Sequence, residues 1–223
     1  MTPLTRRSGG RLHFVITAGP TREPLDPVRF LSNYSTGTMG YALAEEAARR
    51  GHSVVLISGP SALPRPKGVR TISVETALQM RKAILRVFGG SDAVIMAAAV
   101  CDWRPLAPAR RKIKRSGNTK RPLTLRLVEN PDILGELGKI KKREILVGFA
   151  LETEQLRENA IRKLALKNLD LIVANRHHPG KSVFGRLRAT FVIIDRTGTK
   201  TTLRNVSKSL AAKAVVDKVE ALC

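Results

Sequence analysis

Acidic residues are scarce in this 223-residue chain: 18 Asp and Glu stand against 40 Lys and Arg, a formal net charge of +22 at pH 7. Cysteine is scarcer still. Cys101 and Cys223 are too few for a disulfide framework, which excludes small cross-linked secreted folds and points to a reducing compartment, the cytoplasm. Long apolar runs are lacking, so neither a membrane span nor a membrane partner is expected. The opening "MTPLTRRSGGRLHF" has no hydrophobic centre of the kind a signal peptide needs. Residues 1–11 read as a flexible basic leader and 12–223 as a single domain. Aromatics make up only 4%, so the charge is not accompanied by base-stacking surfaces. Several catalytic signatures are missing as well. No Gly-x-Gly-x-x-Gly follows the first apolar run, which argues against an NAD(P)-dependent reductase. No Gly-x-Ser-x-Gly elbow occurs. No Cys/His cluster has metal-ligand spacing, and the adjacent His177 and His178 of "RHHPG" point apart in most backbones.

What is present is a rhythm of apolar strands and amphipathic helices. "LHFVITAG", "HSVVLISGP" and "SDAVIMAAAV" read as strands, with helices over "TMGYALAEEAARRG" and "VETALQMRKAILRVF" between them. A basic, proline-bearing loop interrupts the pattern. It holds nine Lys or Arg and no Asp or Glu from Arg104 to Arg126. "LTLRLVE" reads as a short strand. "NPDILGELGKI" reads as a helix with Pro131 near its start and Asn130 as its cap. "EILVGFA" and "LDLIVAN" are two further strands around another helix. "RATFVIID" and "TKTTLRN", joined by "RTG", form a hairpin, and "VSKSLAAKAVVDKVEAL" closes the chain as a helix. The pattern predicts an α/β fold: a doubly wound, mainly parallel, Rossmann-like sheet with a C-terminal β-hairpin and closing helix. Ligands of such sheets bind beyond the carboxyl ends of the strands.

The polar novelties sit at those ends. "SNYSTGTMG" is a small, hydroxyl-rich loop leading into a helix, a place where backbone N–H groups reach an anion. Ser35 and Gly37 are its phosphate-binding candidates; a plain helix cap is the competing reading. The amide of Asn33 both donates and accepts, which suits an activated acyl carbonyl. Asp102, past the "AAA" strand end, suits a ribose or a metal-phosphate, or else a local ion pair. Lys112 and Lys114 alternate around Ile113 and suit a polyphosphate, or else plain surface charge. Lys163 and Lys167 share a helix face, unfavourable for two cations unless an anion lies between them.

Taken together, "ITAGPTREPLDPVRFLSNYSTGTMG", "AAAVCDWRP", "KIKR", "NPDIL", "VGFALET", "KLALKNLDLIVAN" and the "SK" at Ser207–Lys208 resemble the phosphopantothenoylcysteine synthetase family. The match spans about Val15 to Leu222, and its motif set is similar to the bacterial CTP-using type. The resemblance implies that 4′-phosphopantothenate is activated by CTP as an acyl-cytidylate, with loss of pyrophosphate, and then passed to L-cysteine with loss of CMP. By motif it places Lys112 in the first half-reaction and Asn33 in the second. It places CTP contacts on Met96, Ala97, Ala98, Asp102, Pro131, Asp132, Ile133, Leu134, Phe149, Lys163 and Lys167, and Ala99 beside the acyl group. It further implies Mg2+ on the triphosphate, no flavin on this chain, and a homodimer; the hairpin at 189–203, whose open edge wants pairing, is the expected contact. The basic loop 104–126 becomes a flap over the nucleotide, which explains its charge without nucleic acid. Three places depart from the family pattern: Thr38 where it has Lys, Arg176 where it has Asp, and "FGRL" at 184–187 where it has "FGSD". They leave the core motifs intact and bear on the dimer contact and the loop after the fifth strand. A basic nucleic-acid-binding protein on the same fold stays as the rival from another class.

Overall fold

The structure, a computed structural model, describes residues 10–114, 122–152, 156–176 and 188–223. In chain order the elements are β1 (His13–Ala18), β2 (Arg22–Pro24), β3 (Phe30–Ser32), α1 (Thr38–Arg49), β4 (Ser53–Ser58), β5 (Arg70–Ser73), α2 (Ala77–Val87), β6 (Ala93–Met96), β7 (Trp103–Pro105), β8 (Leu127–Glu129), α3 (Ile133–Ile140), β9 (Ile145–Glu152), α4 (Leu156–Leu166), β10 (Leu171–Arg176), β11 (Arg188–Asp195), β12 (Lys200–Ser207) and α5 (Lys208–Leu222). Eight strands form one sheet in the order β12-β11-β10-β9-β6-β1-β4-β5. The run from β10 to β5 is parallel, and β11 and β12 add an antiparallel hairpin at one edge. The mainly parallel sheet, C-terminal hairpin and closing helix are those read from the sequence.

Apolar residues fill both faces of the central strands, so alternation assigns them to two layers. Phe14, Ile16 and Ala18 of β1, with Ile95 of β6 and Val173 of β10, face α1 and α5. Val15, Val94 and Ile172 face the other way, onto α2, α3 and α4. Each fully buried Ile or Leu contributes about 1.5–3 kcal/mol, so this two-sided burial fixes the strand register. The sharpest contact is between α1 and β1. A Cβ built on Gly40 would lie 2.5 Å from Ala18 Cβ and 2.6 Å from the Thr17 carbonyl oxygen. Only glycine lets the helix start this close to the strand end.

Several features differ from the sequence expectation. Within "PTREPLDPVRFLS", where the apolar pattern marks no strand, β2 and β3 pair antiparallel as a small hairpin. It is anchored by the buried Glu23, whose Oε1 accepts from Ala77 N at 2.9 Å at the start of α2. β7 pairs with β8, so the basic loop leaves and re-enters through a second hairpin. β5 is a short edge strand the apolar pattern did not mark. The α3 cap also moves. Asp132, not Asn130, is the N-cap, its carboxylate accepting from Gly135 N at 3.1 Å, and Pro131 stands outside the helix. A carboxylate one residue before the helix outcompetes an amide three residues before it. Asn130 instead ties the end of β8 to the segment just before β7, donating Nδ2–H to Cys101 O at 2.8 Å.

Candidate functional site

The strand order reverses between β1 and β6: the chain winds outward through β4 and β5, then returns to build β6, β9 and β10 on the other side. A cleft of about 710 Å³ opens there, over the carboxyl ends of the parallel strands. This is where doubly wound sheets bind ligands.

One wall is the segment from Asn33 to α1. Gly37 has φ 83°, a left-handed conformation that favours glycine, and its N–H donates to Ser35 Oγ at 3.3 Å. No side chain caps α1, so first-turn N–H groups stay available at the cleft. Asn33 is held differently from the expectation. Its Nδ2 donates to both the Ala99 carbonyl at 3.0 Å and the Val100 carbonyl at 3.2 Å. The donor half of the amide is thereby occupied, and Oδ1, an acceptor, is the atom left for a ligand.

The floor is the end of β6. Met96, Ala97, Ala98 and Ala99 line it. The buried Thr17 Oγ1 accepts from Ala98 N at 3.1 Å, and Ala99 N donates to Gly19 O at 2.9 Å, so β1 fixes this backbone. Phe149 and Asn175 bring in the ends of β9 and β10. Asp102 is exposed at the rim, and among the described residues no Lys or Arg pairs with it. The local ion pair considered for it is therefore not formed there. Cys101 lines the cleft too, but its Sγ turns toward Thr21 O at 3.6 Å, and burial pushes the thiol up, away from the thiolate form a nucleophile needs.

The opposite wall carries Pro131, Asp132, Ile133 and Leu134 at the start of α3, with Lys163 from α4 and Lys167 just past its end. Lys167 Nζ lies 2.9 Å from Asp132 Oδ1. That ion pair corrects one step of the sequence argument: a carboxylate of the protein, and not only a ligand phosphate, offsets the charge of Lys167.

Of the sixteen site residues read from the sequence, fifteen line this one cleft, Ser35 and Gly37 among them. Lys112 does not. It is exposed on a segment pinned elsewhere: Ile113 N donates to Asp26 Oδ2 at 3.0 Å, Arg29 Nη2 donates to Ile113 O, and Ala109 N donates to Leu25 O at 2.9 Å. Asp26 also accepts from Val28 N and Arg29 N, each at 2.8 Å, and the Arg29 guanidinium holds its carboxyl well below the usual carboxylate range. His177, His178 and "FGRL" lie outside the described residues. Lining residues given no role from sequence include Asn175, Phe191 and Lys208. Lys208 had a signal as part of the "SK" motif, and Asn175 as the last residue of "KLALKNLDLIVAN". Among the described residues no three His, Cys, Asp or Glu gather as a metal site, and no helix is long and apolar enough to cross a membrane.

Known proteins resemble the chain along nearly its whole length. The chain is 47% identical over 211 residues to the coenzyme A biosynthesis bifunctional protein CoaBC of Bacillus subtilis (strain 168), covering 94% of this chain and 51% of that protein. It is 48% identical over 165 residues to the CoaBC of Escherichia coli (strain K12), covering 74% of this chain and 41% of that protein. The chain thus spans about half the length of these relatives. The crystal structure of the C-terminal domain of a CoaBC superposes with a TM-score of 0.79 at 36% identity, covering 95% of both chains. The model of the DNA/pantothenate metabolism flavoprotein C-terminal domain matches residues 10–222, and this chain belongs to that family.

Proposed function

We propose that this chain joins 4′-phosphopantothenate to L-cysteine at the expense of CTP. One observation carries the reading: fifteen residues scattered from Asn33 to Lys167, picked out from the sequence by loop chemistry and by motif, converge on one cleft at the strand-order reversal. In the first half-reaction a carboxylate oxygen of the acid attacks the α-phosphorus of CTP, and the bond to the pyrophosphate leaving group breaks. In the second the cysteine amine attacks the acyl carbon, the bond to the cytidylate oxygen breaks, CMP leaves, and the amine sheds a proton. Both steps build negative charge, which fixed N–H dipoles and lysines stabilise without reorganising.

The hydrogen bonds of Asn33 favour one part for it in this reading. With Nδ2 spent on Ala99 and Val100, Asn33 acts through Oδ1 as an acceptor for the N–H of the incoming amine. It also locks the loop onto the floor that carries the acyl group. Lys112 serves the first half-reaction once its segment leaves Asp26 and folds over the triphosphate. The cleft offers the scattered carboxylates Asp102, Glu129 and Asp132, the last already paired with Lys167, rather than a cage. That suits a magnesium ion brought on the triphosphate and keeping most of its waters, and its bound charge would ease the departure of pyrophosphate.

A homodimer belongs to the same reading. The hairpin contact at 189–203 is disfavoured by charge, because exposed Lys200 and Arg204 stand on the outer strand. Exposed apolar side chains gather instead on the β2–β3 and β7–β8 hairpins: Val28, Phe30, Tyr34, Trp103 and Leu106.

The test is direct. Protein mixed with 4′-phosphopantothenate, CTP and cysteine yields pyrophosphate, CMP and the amide by mass spectrometry. ATP in parallel reads nucleotide choice. No amide with either nucleotide refutes the reading; equal rates with both refute the preference for CTP.

A further inference from the structure

Lys208, the first residue of α5, lines the cleft yet has no part in the scheme above. It is half-buried, and burial alone pushes its ammonium down from the usual lysine range. Among the described residues no carboxylate pairs with it. By contrast Lys167 has Asp132 and Lys141 has Asp170. A partly desolvated cation without a counter-charge is costly unless an anion joins it.

Topology says where it stands. β12 is antiparallel to β11, which is antiparallel to β10, so β12 runs with the parallel strands and ends at the same edge as β1. α5 starts there, as α1 does. The far ends of the two helices are tied by Arg50 to Asp217 at 2.7 Å and to Glu220 at 2.6 Å. Arg50 and Glu220 each stand twelve residues beyond the first residue of their helix, about 18 Å along the axis. The two starts are therefore level, and Lys208 shares the rim with Thr38. Lys163 comes from α4 and Lys167 from just past its end; Ala160 and Leu164 of α4 pack on the opposite face of the sheet from Ala211 and Val215 of α5. The cleft thus has two cationic poles, one on each side of the sheet edge.

Resting on the ligase reading, we propose that Lys208 is the phosphate-holding residue of the α1–α5 pole, binding a substrate phosphate there while Lys163 and Lys167 serve the other pole. The ligand chemistry is a phosphate dianion. The triphosphate tail of CTP and the phosphate of the acid substrate both supply one, and the experiment separates them.

Lys208→Met keeps the aliphatic stem and removes the charge; Lys208→Arg keeps the charge. Calorimetric affinities are measured for CTP, CMP, 4′-phosphopantothenate and pantothenate, with each variant's melting temperature. A charge-assisted hydrogen bond predicts a loss of about 10- to 100-fold in Lys208→Met, confined to the more phosphorylated member of one pair, with Lys208→Arg restoring most of it. Loss on CTP but not CMP supports the proposal and assigns the triphosphate tail. Loss on 4′-phosphopantothenate but not pantothenate supports it and assigns the acid. Equal losses on all four, or none, overturn it. If the wild-type chain makes the amide and Lys208→Met binds like wild type, this inference alone falls. If the wild-type chain binds neither phosphorylated substrate, the ligase reading falls and takes this inference with it.

Discussion

Gly40→Ala tests whether the close approach of α1 to β1 sets the cleft. In an exposed helix this change is favourable by about 1 kcal/mol, because alanine has the higher helix propensity. Here the new Cβ would meet Ala18 Cβ at 2.5 Å, the Thr17 carbonyl oxygen at 2.6 Å and Ala18 Cα at 2.9 Å. None of these is the end of a flexible side chain. Carbon atoms in contact sit about 3.5–4.0 Å apart, so α1 must retreat by about 1 Å at this level. Overpacking of this kind costs about 1–3 kcal/mol. Set against the propensity gain, the net loss is about 1 kcal/mol, or about 2–4 °C in melting temperature for a chain of this size. The activity effect is larger. Thr36, Gly37 and Thr38 line the cleft directly before Gly40, and a displacement of 1 Å at a reacting site costs about a hundredfold in rate. Gly89→Ala is the control, since nothing lies within 4 Å of its added Cβ. The assays are thermal unfolding and initial rates of pyrophosphate release. A Gly40→Ala variant that melts higher than wild type and turns over normally would refute the reasoning.

Three further outcomes are expected. Asn33→Asp sets carboxylate oxygens against the Ala99 and Val100 carbonyls, where Nδ2 now donates at 3.0 and 3.2 Å, and so displaces the loop; pyrophosphate release continues while amide formation falls about a hundredfold, and normal amide formation would remove Asn33 from the mechanism. Asp26→Asn weakens the anchor of Arg29 and Ile113, so trypsin should cut at Arg110 to Lys112 faster than in wild type; unchanged cleavage would show that the anchor does not hold the segment. Glu46, held chiefly by Arg49, has its pKa lowered from 4.5 to about 2. The stability it adds is complete above pH 4.5 and lost as pH falls toward 2, about 1–2 kcal/mol after screening, so Glu46→Gln should flatten the acid limb of the stability profile, and an unchanged limb would contradict this.

The sheet was legible because its strands carry their own boundaries. "LHFVITAG" and "HSVVLISGP" end in glycine or proline, and the helices between them show three-and-four apolar spacing. The misses share a cause. β2, β3 and β7 are three residues long, too short for any periodicity, and are held by long-range partners such as Glu23 and Asn130. β5 lies at the sheet edge with its residues half-buried or exposed, so it lacks the apolar signature of its neighbours.

The site divides along the same line. Its lining was readable as motif because most of it lies at strand ends and helix starts, which the topology carries to one edge of the sheet, while Lys163 and Lys167 reach in from the last turn of α4 and just beyond it. Hydrogen-bond direction was not readable. The sequence shows that Asn33 is an amide, but only the positions of the Ala99 and Val100 carbonyls decide which half of that amide faces a ligand. Nor does a motif show where a loop rests. "KIK" marks Lys112 as suited to a polyphosphate, yet Asp26, 86 positions earlier, holds that segment away from the cleft. The anchor is made of the same interactions the reaction would use, a carboxylate facing a guanidinium and backbone N–H groups. A triphosphate in the cleft competes for the basic segment on equal chemical terms. On the proposed ligase reading, closure of that segment would exchange one anion, Asp26, for another, the nucleotide. Nucleotide binding should therefore be what exposes Asp26.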